Sequence, residues 1–428
     1  MKRRDFLLRA GVLGCSAAAS PLLTPITLAS APWDNRLVVI LLRGAMDGLD
    51  VVQPYGDVDF AARRPTLKAG EAGDAMDLDG FFSLNRGLRA LGPLWQAGEL
   101  SFAHAVSTPY RNKRSHFDGQ DMLEAGGEEV PGARDRNGWL NRLLQVTPGV
   151  SAETTYAIGQ TEALITAGPA RTSSWSPDAE LEVSPQVRRL LELVYHDDPL
   201  FKQASDTALD IVADLAAAED MEDEGAMQMA MDQMGVRGSG RVTAIAEFAA
   251  SRLRQDTRIA SFSIGGWDTH AKQGPAIRSA LGQLSDAILT LKAGLGPDWA
   301  KTTVIAMTEF GRTAHENGSR WRDDGTGGAM VLAGGAIRGG RVHSDWPGLG
   351  AADLYEQRDL RPTRDVRAYA GWAMRGMFGD KMTVDELVGF RGLFLGRLLN
   401  PHGNKLLAEV FADAFQPLAV HTAHDCCR

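Results

Sequence analysis

The stretch "RLVVILLRGAMDGLD", residues 36–50, decides the fold class. Leu37 to Leu42 run without a polar break, are β-branched at Val38, Val39 and Ile40, and stop at Arg43 and Gly44. A run this short reads as a strand, and a strand apolar on both sides needs cover on both faces. The same pattern predicts strands in "ELSFAHAV" (99–106), "TTYAIG" (154–159), "RIASFSIGG" (258–266), "TTVIAMTEFG" (302–311) and "AMVLAGGAI" (329–337). Helical spacing lies between them. "LNRGLRALGPLWQAG" (84–98) carries Leu84, Leu88, Leu91 and Leu94/Trp95, and "PAIRSALGQLSDAILTLKAGLG" (275–296) carries Ile277, Leu281, Leu284, Ile288, Leu291 and Leu295 on one stripe. Alternating strands and helices predict an α/β protein with a mostly parallel sheet, whose functional groups gather beyond the carboxyl ends of the strands.

The bulk properties fit that class. The chain has 428 residues, 44% apolar and 23% charged, enough for one large α/β domain or two ordinary ones. Its first thirty residues read differently: Arg3 and Arg4 precede Asp5, Phe6 and Leu7, an Ala/Leu stretch follows, and small residues close it at Ala29, Ser30 and Ala31. This is the layout of a twin-arginine export signal over residues 1–31, which predicts a periplasmic protein and the twin-arginine translocation machinery as a partner. "VLGC" (12–15) also allows lipid anchoring at Cys15. Removing residues 1–31 takes away Lys2, Arg3, Arg4 and Arg9 against Asp5, so the formal charge of −9 becomes about −12. That acidic balance argues against nucleic-acid binding, and no later stretch is apolar enough for a transmembrane helix. Cys15, Cys426 and Cys427 offer no disulfide framework.

Polar groups recur at the strand ends. After the first strand come Arg43, Gly44, Asp47 and Asp50; Asp47 is placed either to reach a cation or to brace a turn. "NKRSHFDGQDMLEAG" (112–126) sets Ser115 three residues before Asp118, the spacing of a helix N-cap with its capping partner. A hydroxyl there sits in a positive helix-end field and suits either a cap or a nucleophile. "GGWDTH" (265–270) brings Asp268 and His270, two apart on an extended segment and so on one side, a usable pair for zinc or manganese or the furniture of a turn. In "TEFGRTAHENGSRWRDDGTGG" (308–328), Glu309 and Asp324 could complete a metal shell and Arg312 could clamp an oxyanion. Two segments stand apart. An acidic, Met-rich stretch near 216–240 reads as a helical insertion rather than a soft-metal site, and the tail "HTAHDCCR" (421–428) reads as an unstructured terminus.

Taken as a set, "RRDFL", "LLRGAMDGLDVVQPYGD", "RSHFDGQDMLE", "GWDTH", "TEFGRT" and "LAGGAIRGGRVHSDWPGL" resemble a bacterial family of exported proteins of unassigned function, related to the alkaline phosphatase and sulfatase superfamily. The resemblance implies a three-layer αβα sandwich over residues 32–428 and a divalent metal ion, whether zinc, manganese, magnesium or calcium. It implies that Asp47, Asp268, His270 and Glu309 approach the metal, with Asp324 where a histidine ligand would be expected. Ser115 would be the nucleophile, with His116 and Arg312 near the transferred group. The implied activity is hydrolysis of phosphate or sulfate esters, small anionic substrates; the alternative is an inactive periplasmic binding or assembly protein. The chain departs from the superfamily at Glu309-Phe310, where an Asp-His pair is common, and an aspartate at 324 moves metal preference toward harder ions.

Overall fold

A computed structural model describes residues 34–67, 70, 74–111, 114–132, 137–147, 154–158, 163–175, 240–268, 273–316 and 323–378. The export segment, most of the Met-rich stretch and the tail lie outside these residues. In chain order the strands are β1 (Arg36–Leu42), β2 (Val52–Gln53), β3 (Met76–Asp77), β4 (Ser83–Leu84), β5 (Leu100–Ser107), β6 (Thr155–Ile158), β7 (Ser173–Trp175), β8 (Ile259–Ile264), β9 (Thr302–Thr308), β10 (Gly328–Ala333), β11 (Val342–His343) and β12 (Arg364–Asp365). The longer helices are α1 (His116–Ala125), α2 (Trp139–Val146), α3 (240–253), α4 (Gln273–Leu295) and α5 (Val366–Phe378).

One sheet dominates, in the order β11-β5-β10-β9-β1-β8-β6-β7 with β12 also on β5. β1 is its axis, paired in parallel with β8 on one side and β9 on the other. β10 runs antiparallel to both β9 and β5, so β5 points the same way as β1. β2, β4 and β3 form a small separate sheet.

Both faces of the main sheet are covered, as the continuous apolar runs require. Val38, Ile40 and Leu42 pack with Leu281, Leu284 and Ile288 of α4 and with Ile245, Phe248 and Leu253 of α3. Their neighbours Leu37, Val39 and Leu41 face the other way, against Leu140 and Leu143 of α2 and Val366, Tyr369 and Ala373 of α5. The result is three layers, helix–sheet–helix, with a mixed and mostly parallel sheet. Each of these β1 side chains contributes roughly 1.5–3 kcal/mol by leaving water, which makes β1 the anchor of both cores.

The segment 84–98 differs from the predicted helix. Leu84 closes β4, Arg86–Leu91 form a 3-10 helix, and a short α-helix covers Gly92–Gln96. Asn85 caps the 3-10 turn through Gly87 N–H, and Gly92-Pro93 restart the chain as a new helix. The apolar residues keep one buried face through both pieces, which is why their spacing alone looked continuous.

His104, fully buried in β5, is a structural histidine. Its Nε2–H donates to the carbonyls of Gly48 (3.2 Å) and Val52 (2.9 Å), and its Nδ1 accepts the Ala105 N–H at 2.8 Å. Phe82 stacks on the ring. Burial pushes its pKa down to about 4. An unfolded histidine titrates near 6.5, so this group's stabilisation is complete above pH 6.5 and is lost as pH falls to 4, roughly 3 kcal/mol in all. Urea melts across that range should show a steeper acid loss in wild type than in His104→Gln, which keeps an N–H donor but does not titrate.

Candidate metal centre

The chain reaches the carboxyl edge of the sheet through the loops after β1, β5, β8 and β9. Because β10 is reversed, the loop before it arrives at the same edge. Helix α1 starts there. Ser115 is its N-cap, with Oγ accepting the Asp118 N–H at 3.3 Å, while the Ser115 N–H donates to the Tyr110 hydroxyl at 2.9 Å. The predicted cap is therefore present, but Tyr110 takes the place of the returning Asp118 carboxylate. Gly119 lets the helix settle: a Cβ there would lie 2.9 Å from the Phe310 ring and 3.3 Å from Glu309 Cβ. His116 and Gln120, four apart, flank this contact on the same helix face.

Glu309 is buried beneath them at 1% exposure. Its Oε1 accepts N–H groups from Gly44 (3.0 Å), Ala45 (3.1 Å) and the Gln120 amide (3.2 Å), and lies 2.8 Å from His116 Nδ1. Its Oε2 accepts the Thr308 hydroxyl at 3.0 Å. Gly44 and Ala45 both have positive φ, 118° and 57°, which turns their successive N–H groups toward one anion. Gly44 also has no room for a side chain, since a Cβ would sit 2.3 Å from the Asp268 N.

With Nδ1 held by Glu309, the other ring nitrogen of His116 points at two carboxylates. Nε2 lies 3.4 Å from Asp324 Oδ1 and 3.6 Å from Asp268 Oδ1, buried and without a hydrogen-bond partner. The donor atoms of His116, Asp268 and Asp324 all lie within 4.8 Å of one another. One imidazole nitrogen and two carboxylate oxygens gathered at this spacing fit a divalent cation of the zinc or manganese kind.

Arg312 stands behind the two aspartates at 1% exposure. Its guanidinium donates to Asp268 Oδ1 (2.7 Å) and Asp324 Oδ1 (2.9 Å), and to the carbonyls of Gly44 (2.7 Å), Ala45 (2.8 Å) and Trp267 (3.3 Å). It binds the loops of the site to one another. Asp47 is buried in a two-pronged pair with Arg64, 2.8 and 3.0 Å, outside the donor cluster. Ser115 has no hydrogen bond to the cluster among the described residues, and His270 lies outside those residues. The structure thus brings Asp268, Asp324, His116, Glu309 and Arg312 together and sets Asp47 apart.

The motif resemblance sets His116 near a transferred group, and nothing in it points to Nε2 as one of the candidate metal donors. Its i, i+4 relation to Gln120 was a usable signal. Arg64 as the partner of Asp47, and the two backbone amides on Glu309, left no signal in the pattern of residue types.

Without a metal, the carboxylates of Asp324 and Glu309 raise His116 to about 10 despite its partial burial. A raised folded pKa means stabilisation that is complete below about pH 6.5 and lost as pH rises through 10. Chelator-treated wild type should lose stability across that window in thermal melts, and His116→Asn should lose clearly less.

The sequence profile of DUF1501, a protein family of unknown function, matches residues 91–370, more than half of the chain. No curated protein matches the sequence. Among solved structures, the lipoteichoic acid synthase LtaP from Listeria monocytogenes is similar at 10% identity and TM-score 0.35, over 75% of this chain and 69% of that one. A protein in the alkaline phosphatase superfamily from Vibrio parahaemolyticus is similar at 11% identity and TM-score 0.34, over 77% and 69%. Ps i-CgsB, in complex with k-i-k-neocarrahexaose, is similar at 8% identity and TM-score 0.34, over 72% and 68%.

Proposed function

Because the chain belongs to the DUF1501 family, we propose a function read from its own site: a metal-dependent hydrolase of small phosphate or sulfate esters. The observation that carries this reading is His116 Nε2, buried without a hydrogen bond and facing the Oδ1 atoms of Asp268 and Asp324. His116, Asp268 and Asp324 would hold the ion, and zinc or manganese suits that mixed donor set better than calcium. A bound dication supplies Lewis-acid polarisation of an ester oxygen.

The remaining roles belong to the chain. Ser115 is the proposed nucleophile. As a cap its oxygen accepts one N–H, which leaves its own proton to donate, and the α1 N-terminus favours negative charge on that oxygen. Arg312 keeps the two aspartates turned toward His116. The ester class comes from the motif resemblance of "RSHFDGQD", "GWDTH" and "TEFGRT". Export through the twin-arginine pathway to the periplasm, with folding before transport, belongs to the same proposal and rests on residues 1–31.

A second reading is a binding protein with no turnover. It is favoured by Phe310, an aromatic ring 5.1 Å from that of His116, in a place where a hydrolase would use a polar group.

Elemental analysis of protein purified from its own host should find about one zinc or manganese per chain in wild type and a strong loss in His116→Ala. Equal content in both, or none in wild type, would defeat the metal assignment. Aryl phosphate and sulfate esters then separate the two readings. The hydrolase reading expects turnover that falls by at least ~100-fold in Ser115→Ala, within the range seen on losing a nucleophile; metal without turnover supports the binding protein.

A further inference from the structure

The contacts of Glu309 have a logic that its residue type does not reveal. Gly44 and Ala45 present backbone N–H groups, which only donate. Gln120 is oriented by Arg43: a guanidinium cannot accept, so the Gln120 oxygen takes the Arg43 Nη1–H at 2.8 Å and its NH₂ is left facing Glu309. Thr308 is oriented in the same way, because its hydroxyl oxygen accepts the Met46 N–H at 3.0 Å and its proton goes to Glu309 Oε2. Each of these neighbours donates, so Glu309 is held as an acceptor. His116 Nδ1, 2.8 Å from the crowded Oε1, must then carry the hydrogen between them.

We infer that Glu309 is the positioning residue of the metal centre and not one of its ligands: by accepting the Nδ1–H of His116 it keeps that ring hydrogen on Nδ1 and leaves Nε2, which faces Asp268 and Asp324, as the nitrogen that would bind the cation. The inference rests on the metal reading above. For Glu309 to reach a cation itself, its carboxylate would have to leave the Gly44–Ala45 amides, Gln120 and Thr308, and it is sealed below them. In its place it fixes the ring plane and makes the imidazole a stronger donor, the task of a carboxylate behind a metal-bound histidine. The chain Arg43–Gln120–Glu309–His116 links the exits of β1 and β9 to helix α1, so the direction of Nε2 is set by the fold and not by the ion.

Cobalt(II) is the probe, added to the chelator-treated full chain of wild type and Glu309→Gln. The amide keeps the shape of the carboxylate, and its oxygen can still accept from Gly44, Ala45 and His116. The expected result is one cobalt per chain in both proteins, a Kd raised roughly 10- to 100-fold in the variant, and visible bands at unchanged wavelengths. Bands that move on substitution would mean that Glu309 is a ligand, and a Kd within twofold would mean that it positions nothing; either overturns the inference. Wild type that takes up no cobalt defeats the metal reading itself, and the inference with it. Should Glu309→Gln fail to fold, ¹⁵N NMR of the zinc-loaded wild type decides alone. His116 protonated at Nδ1 with Nε2 metal-bound supports the inference, and the opposite tautomer overturns it.

Discussion

A guanidinium buried at the edge of a sheet stays there only if oxygen atoms surround it, and this requirement organises the site. Arg312 collects the carbonyls of Gly44, Ala45 and Trp267 together with the carboxylates of Asp268 and Asp324. Those groups come from the β1 exit, the β8 exit and the approach to β10. Removing the guanidinium would leave two carboxylates near one another, Asp324 among them buried, and three carbonyls without this donor. The same contacts hold the Oδ1 atoms of Asp268 and Asp324 at 3.6 and 3.4 Å from His116 Nε2, the spacing the proposed cation would use. Stability and the geometry of the candidate site share one set of hydrogen bonds.

The sheet makes this convergence affordable in backbone terms. β1 lies between β8 and β9 in parallel register, so Gly44, Asp268 and Glu309 leave the sheet side by side. Strand β10 is reversed, which sends its preceding loop, with Asp324, to the same edge. Glycine then closes the remaining gaps: Gly44 lets the β1 exit touch the backbone of Asp268, and Gly119 lets α1 rest on Phe310. A side chain at either position would separate groups that the site requires in contact.

Much of this was legible from residues alone. The β1, β8 and β9 runs are continuous and apolar because both faces are covered, and that pattern needs no partner to be read. The cap at Ser115 was legible for a similar reason, since a cap is satisfied within one turn. The segment 84–98 was misread because a 3-10 turn and a short helix can keep one buried face with nearly helical spacing. Asp47 and Glu309 were harder still. Their residue type offers two oxygens to a metal, but Arg64 takes both oxygens of Asp47, and amides from Gly44, Ala45 and Gln120 crowd Glu309. Partners far away in the chain leave no local periodicity to find.

By itself, then, the sequence determined the class of fold, the main strands and the collection of acids, imidazoles and hydroxyls at their ends, because burial and capping are set by neighbours in the chain. Only the tertiary structure decided which of those groups face one another. It turned β10 around, placed Arg64 on Asp47, and set Glu309 behind His116 so that Nε2 meets Asp268 and Asp324. Those choices follow from competition among hydrogen-bond donors and acceptors brought together from distant segments, and a donor's partner is chosen in space, after the sheet has formed.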